Sequence, residues 1–324
     1  MSAAAFYCVA DERFFLGAVG MINSLRLVGH GEPVYVLDCG LTLAQRERLS
    51  AEAVVVPGPA DSPPWLLKTI APLAHPAEVA VLIDADMIAT RSLLPLIEQA
   101  AGGRVIAFEN YADRFCPDWS DLLDLGPLRR RPYVSSGLVA LGGEERGRVL
   151  ELLDDRQRRV DIELGFYGRK VAGYPFTYPE QDVLNAILMS QEGPDRVTRL
   201  GNELAPNPPF RGLRLRDPAT LRCSFRDGTE PYVVHHFVRK PWLEPTYTSV
   251  YSRLLSRLLL AADGAIRVPD TDVPLWLRRG PRARWARAWA SAKDLPRWHL
   301  GDRLPAPIGT RIEAARRRRR ARDR

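Results

Sequence analysis

Asp84 and Asp86 close an apolar run, Val81-Leu82-Ile83-Asp84-Ala85-Asp86-Met87, with one residue between them. In an extended chain residues i and i+2 point the same way. Both carboxylates can therefore aim at one point, while small Ala85 faces the other side. Two like charges that close repel unless something neutralises them. A hard divalent cation held by oxygens does so, and such cations commonly take phosphates as further ligands. The reading is a metal and diphosphate site at the carboxyl end of a buried strand, where open α/β sheets bind ligands. The plainer alternative is a strand-end pair that caps the next helix, because Thr90 and Ser92 precede an apolar periodic run. A second triplet, Asp270-Thr271-Asp272, sits between Pro269 and Pro274 with no apolar strand before it, and reads as solvated linker.

Three other segments carry chemistry. Tyr133-Val134-Ser135-Ser136-Gly137-Leu138-Val139 reads as the start of a strand with two hydroxyls and a glycine. A glycine there lets a ligand approach the backbone; the alternative is a plain turn. Glu180-Gln181-Asp182 reads as the first turn of a helix, where acidic residues suit the helix dipole. With Asn185 close on the same face, these groups could also hold sugar hydroxyls. The last segment is His235-His236-Phe237-Val238-Arg239-Lys240-Pro241-Trp242. A histidine at a strand end can join a carboxylate metal site, and Lys240 is a compact charge suited to phosphate. Adjacent strand residues face opposite ways, so at most one of the two histidines is a ligand.

The elements that must position these groups alternate. Strands are expected at residues 6–10, 33–37, 53–56, 79–83, 105–108, 139–141 and 231–237, and helices at 15–25, 42–51, 144–156, 180–189 and 247–258. Residues 112–131 read as loop, and 196–225 as short broken strands. Alternation of this kind implies crossover connections and a largely parallel sheet. The chain has 324 residues, 46% apolar and 26% charged, enough for a sizeable core of ordinary composition. No run is long enough to span a bilayer, and the N-terminal residues lack a signal pattern, so a cytoplasmic location is expected. Cys8, Cys39, Cys116 and Cys223 form no C-x-x-C pair and read as reduced thiols.

In their order these segments resemble the GT-A-fold nucleotide-sugar glycosyltransferases. The likeness is strongest to retaining family eight, which includes glycogenin and bacterial lipopolysaccharide galactosyltransferases. It spans about residues 5–245. It implies an α/β GT-A (Rossmann-like) fold with a mostly parallel central sheet flanked by helices. It also implies transfer of a hexose from a nucleoside-diphosphate sugar, a UDP-sugar, to a glycan or lipid-linked acceptor with retention. By the resemblance Ala10, Asp11 and Arg13 meet the nucleotide. Asp84, Asp86 and one histidine would hold Mn2+ or Mg2+. Lys68, Ala85, Ser135, Ser136, Gly137 and Trp242 line the donor site. Gln181 lies beneath the anomeric carbon, Glu180 and Asp182 position hydroxyls, and Lys240 meets the diphosphate. The chain departs from the pattern in three places. Ser135 stands for the usual asparagine, Glu180 for an aspartate, and the closing motif is shortened. The metal histidine is therefore His236 or His235, with His236 preferred because Phe237 follows it.

Residues 275–324 hold sixteen Arg or Lys against four Asp or Glu, so the rest of the chain carries −5 of the net +7. The expected organisation is a catalytic domain at 1–262, a linker at 263–275, and a basic helical extension at 276–324 with a disordered end. Trp285, Ala288, Trp289 and Ala292 share a helical face flanked by Arg284, Arg287 and Lys293, and Arg316–Arg320 follow. That pattern fits peripheral contact with an anionic membrane surface. The alternative has Trp276, Trp285, Trp289 and Trp298 packing on the body beside a solvated tail. Two other functions compete. A sugar nucleotidyltransferase wants a glycine-rich basic loop after the first strand, which Ala10-Asp11-Glu12-Arg13-Phe14 is not. A polyanion binder acting through the arginine tail would carry its basic residues on the folded body, which is net acidic, so no specific nucleic acid is expected.

Overall fold

The structure is a computed structural model that describes residues 3–59, 64–166, 168–190, 196–246 and 249–295. Its first half runs β1 (Ala4–Ala10), α1 (Phe15–Leu27), β2 (Val34–Asp38), α2 (Leu43–Leu49), β3 (Val54–Pro57), α3 (Ile70–Ala74), β4 (Val79–Ile83), β5 (Met87–Ala89), α4 (Leu94–Ala101) and β6 (Val105–Glu109). The second half runs α5 (Trp119–Leu122), β7 (Val134–Gly142), α6 (Gly143–Gln157), α7 (Pro179–Met189), β8 (Val197–Leu200), β9 (Arg214–Asp217), β10 (Arg222–Ser224), β11 (Val233–His235), α8 (Ser249–Leu260) and α9 (Pro281–Leu295).

Seven strands form one sheet in the order β3-β2-β1-β4-β7-β6-β8. The pairs β3/β2, β2/β1, β1/β4 and β6/β8 are parallel, and β7 runs antiparallel to both neighbours. The expected mostly parallel sheet is present. Helices cover both faces, so strands such as β4 read as unbroken apolar runs. One face packs on α1, α4 and α8 through Met21, Leu96 and Leu254. The other packs on α5, α6 and α7 through Trp119, Leu150 and Leu184. Local sequence sets the helix starts. Thr42 and Gln45 make a capping box on α2, and Pro179 occupies the first turn of α7.

Three expectations change. The strand expected at 139–141 begins at Val134, so Ser135, Ser136 and Gly137 lie inside β7 and are buried. The strand expected at 231–237 is only Val233–His235, and it pairs antiparallel with β5 with His235 opposite Met87. The stretch at 263–275 is no free linker. Ile266, Val268 and Val273 enter the core beneath α1 and α8, and Asn23 holds Ile266 by its N–H and its carbonyl, at 2.8 and 2.9 Å. Apolar burial outweighed the proline and aspartate punctuation there. Asp270 and Asp272 remain exposed, as read.

α9 turns Ala283 and Ala290 inward, while Trp285 is 76% and Trp289 46% exposed. Trp276 instead packs on the body and donates to the Pro241 carbonyl at 2.6 Å. Trp298, the Lys293 side chain and Arg316–Arg320 lie outside the described residues. No described helix is long and apolar enough to cross a membrane.

Candidate metal and diphosphate site

The turn between β4 and β5 carries Asp84 and Asp86, and the β5/β11 pairing brings His235 to them from 149 residues away. His235 Nε2 lies 3.2 Å from Asp86 Oδ1 and 4.0 Å from Asp84 Oδ2. One ligand atom from each of the three lies within 4.8 Å of the others. Gly137 makes this approach possible. A β-carbon there would stand 2.5 Å from Met87 Cε, 3.0 Å from His235 Cε1 and 3.3 Å from Asp84 Oδ2. Its missing side chain thus admits the protein's own histidine and methionine. Gly17 does the same below the turn, where a β-carbon would meet the Ala85 carbonyl at 2.6 Å and the Trp242 ring at 2.7 Å.

Lysines face both carboxylates. Lys240 binds Asp86 and donates to the His236 carbonyl at 2.8 Å. Lys68 lies 2.6 Å from Asp84, 3.3 Å from Glu180 and 3.2 Å from the Ser136 carbonyl. Burial opposes the Asp86 charge, yet Lys240 and His235 hold its carboxyl far below the usual range. Burial likewise opposes the Lys68 charge, but Asp84 and Glu180 hold the ammonium protonated. Burial raises Glu180, against Lys68.

The strand pairing turns His236, the preferred histidine, away from the carboxylates. His236 is wholly buried on the opposite face, with its ring 4.8 Å from Tyr251 and 6.0 Å from Phe210. Its Nδ1 lies 3.2 Å from the Val238 carbonyl. Burial pushes its pKa down to about 3, so it is a neutral core group. His235 is the one that reaches the carboxylates.

The α7 residues divide their work. Glu180 accepts from Ser136 Oγ at 2.8 Å. The Gln181 amide lies between the Ser136 N–H and the Tyr133 hydroxyl. Asp182, expected to position sugar hydroxyls, has no oxygen to spare. It accepts from Arg114 on both oxygens at 3.0 Å, from Tyr133 at 2.6 Å and from the Tyr178 N–H at 2.8 Å. Burial raises its pKa although Arg114 and Tyr133 oppose that. Asn185 bonds the Val134 backbone at 2.7 and 2.8 Å and ties α7 to β7.

The remaining expected residues flank this centre. Ala10 is buried at the end of β1, and Asp11 accepts from the Phe14 N–H at 2.9 Å. Arg13 is exposed, and its carbonyl accepts from the buried Trp242 indole at 2.7 Å. Trp242 therefore pins the loop after β1 and presents little surface of its own. Ser135 Oγ accepts from the Gly137 N–H at 3.3 Å. Arg114 is a lone arginine in a stretch with loop composition, so no local sequence signal marks its role.

The donor set fits a hard divalent cation with one imidazole ligand. Asp86 Oδ1 is buried and accepts no well-aligned hydrogen bond among the described residues; its polar neighbour is His235 Nε2 at 3.2 Å, and a buried charged oxygen so poorly satisfied is costly. An ion between Asp84, Asp86 and His235 would satisfy it.

No protein-family model matches the chain, and no curated protein matches its sequence. Solved structures do match its fold. An active-site mutant of LgtC aligns with a TM-score of 0.53 at 15% identity, over 82% of this chain and 98% of that one. The galactosyltransferase LgtC with donor and acceptor sugar analogs aligns at 0.52 and 16%, with the same coverage. The apo glycosyltransferase GlyE of Streptococcus pneumoniae TIGR4 aligns at 0.52 and 12%, over 82% and 62% of the two chains. The fold is GT-A.

Proposed function

We propose that this chain is a metal-dependent glycosyltransferase. It moves a hexose from a nucleoside-diphosphate sugar, a UDP-sugar in this reading, to a glycan or lipid-linked acceptor with retention. The observation that carries the proposal is the convergence of Asp84, Asp86 and His235 between two lysines. It lies at the carboxyl end of the parallel strand β4, where such sheets bind ligands.

The difficult step is cleavage of the bond between the anomeric carbon and the diphosphate, because the departing group gains negative charge. Asp84, Asp86 and His235 would hold Mn2+ or Mg2+, which when bound supplies Lewis-acid stabilisation of that charge. Lys240 and Lys68 add fixed positive charge. Preorganised groups of this kind are worth on the order of 3 kcal/mol each. Gln181 sits beside them as an amide, a poor nucleophile, which favours attack by the acceptor from the face the diphosphate leaves. Asp182 and its partners hold Gln181 in place, while Glu180 fixes Lys68 and Ser136.

The same reading gives α9 a place. Trp285 and Trp289 are exposed beside Arg282 and Arg284 in a tail of net +12. Aromatic and cationic side chains together suit the interface of an anionic membrane, and a lipid-linked acceptor would be met there.

The test of the activity is a panel of nucleotide sugars incubated with manganese. We expect slow release of nucleoside diphosphate from one donor, abolished by a chelator. Release from no donor, or release indifferent to the chelator, refutes the proposal.

A further inference from the structure

Gln181 makes two contacts through its side-chain amide, and they demand opposite ends of it. The backbone N–H of Ser136 can only donate, and it lies 3.2 Å from Gln181 Oε1. The Tyr133 hydroxyl lies 3.0 Å from Gln181 Nε2. A phenol can donate or accept, so which it does depends on its other neighbour.

That neighbour is Asp182. Its carboxylate can only accept, and it accepts a hydrogen bond from the Tyr133 O–H at 2.6 Å. The phenol oxygen is left with lone pairs alone toward Gln181. Asp182 is held in turn by both arms of the Arg114 fork, each at 3.0 Å, and by the Tyr178 N–H. Arg114 also donates to the Pro175 carbonyl at 3.3 Å. The carboxylate is fully buried and the tyrosine nearly so, and hydrogen bonds strengthen in such surroundings. Charge at Arg114 fixes Asp182, Asp182 fixes the direction of the Tyr133 proton, and Tyr133 fixes which end of Gln181 faces it.

We propose that Arg114, Asp182 and Tyr133 form a one-way hydrogen-bond relay that locks the Gln181 amide with its oxygen toward Ser136. They are positioning residues, acting on transfer through Gln181 alone. The inference rests on the reading of Gln181 as the group at the transfer face.

The test is a double-mutant cycle with Tyr133→Phe and Gln181→Ala. Tyr133→Phe keeps the buried ring and removes the hydroxyl. We expect its kcat to fall about tenfold, the size of one lost hydrogen bond, with the donor KM held within about twofold. In the Gln181→Ala background it should cause no further fall, because coupled residues are non-additive. An unchanged kcat, or an equal fall in both backgrounds, overturns the relay. A structural role alone would show that equal fall. The second readout needs no turnover. The Gln181 side-chain amide signals in an NMR spectrum, assigned by their loss in Gln181→Ala, should shift in Tyr133→Phe, and unmoved signals overturn the relay. If the wild type turns over no nucleotide sugar, the functional proposal fails while the amide signals still decide the relay. Arg114→Lys, which keeps the charge and loses the fork, should give the same pattern in smaller size. It serves if Tyr133→Phe does not fold.

Discussion

Asp86→Asn keeps the shape of the side chain and deletes its charge. Two consequences follow. The first is on stability. Lys240 loses its counter-ion at a side chain only 13% exposed. Breaking a buried pair outright costs about 3–5 kcal/mol. Here Asn still offers an acceptor and Lys240 keeps the His236 carbonyl, so we place the cost at about 1–3 kcal/mol. For a domain of this size that lowers Tm by roughly 2–10 °C. The second is on transfer. One charged donor of three leaves the site, and loss of such a group costs on the order of 10²–10³ in kcat, about 3–4 kcal/mol of transition-state stabilisation. A thermal melt by circular dichroism reads the first, and nucleoside diphosphate release over a manganese titration reads the second. A folded variant with near wild-type turnover and an unchanged manganese midpoint would refute the assignment of Asp86.

Other outcomes can be checked alongside. His235→Ala should abolish the response to manganese and, because the side chain is buried beside Asp86, also lower Tm by a few degrees. His236→Ala should leave the manganese midpoint alone and lose about 2–4 kcal/mol of stability on denaturant unfolding, because it empties a packed site. The full chain should sediment with vesicles containing anionic lipid and be released by salt. Trp285→Ala with Trp289→Ala should weaken that binding and leave transfer to a soluble acceptor intact, and equal binding by both forms contradicts the role of α9. Burial pushes the Tyr7 phenol up to about 12 and raises Tyr133 and Tyr251 well above the usual value. Above pH about 10 the unfolded chain therefore gives up phenolic protons that the native state keeps, so stability falls as pH rises. The tyrosinate absorbance of these three phenols should appear together with unfolding, and full ionisation of the folded protein would contradict the burial.

Much of the fold around the site was legible. Val79–Ile83 reads as a strand because both its faces are buried, and the apolar run stops where the two carboxylates begin. α1 and α7 declare themselves by apolar spacing, and α7 also by Pro179. The choice between His235 and His236 was not legible. Alternation puts them on opposite faces, but the face toward Asp86 is set by pairing with β5, and three-residue strands have no periodicity to read. Ser135-Ser136-Gly137 read as a strand entry or a turn into one, and small polar residues there gave no sign that they lie buried inside β7. Arg114 gave no local signal, because its partner Asp182 lies 68 positions away. The buried apolar residues at 266, 268 and 273 were masked by the prolines and aspartates around them.

The central claim is that Asp84, Asp86 and His235 grip one divalent ion at the diphosphate. The most direct measurement is a crystal structure of the protein soaked with manganese and a nucleoside diphosphate, phased at the manganese edge. The account predicts one anomalous peak within about 2.0–2.6 Å of an oxygen from each carboxylate and of His235 Nε2, with the diphosphate beside Lys240. A peak elsewhere, or a nucleotide bound with no metal near these three side chains, would contradict it.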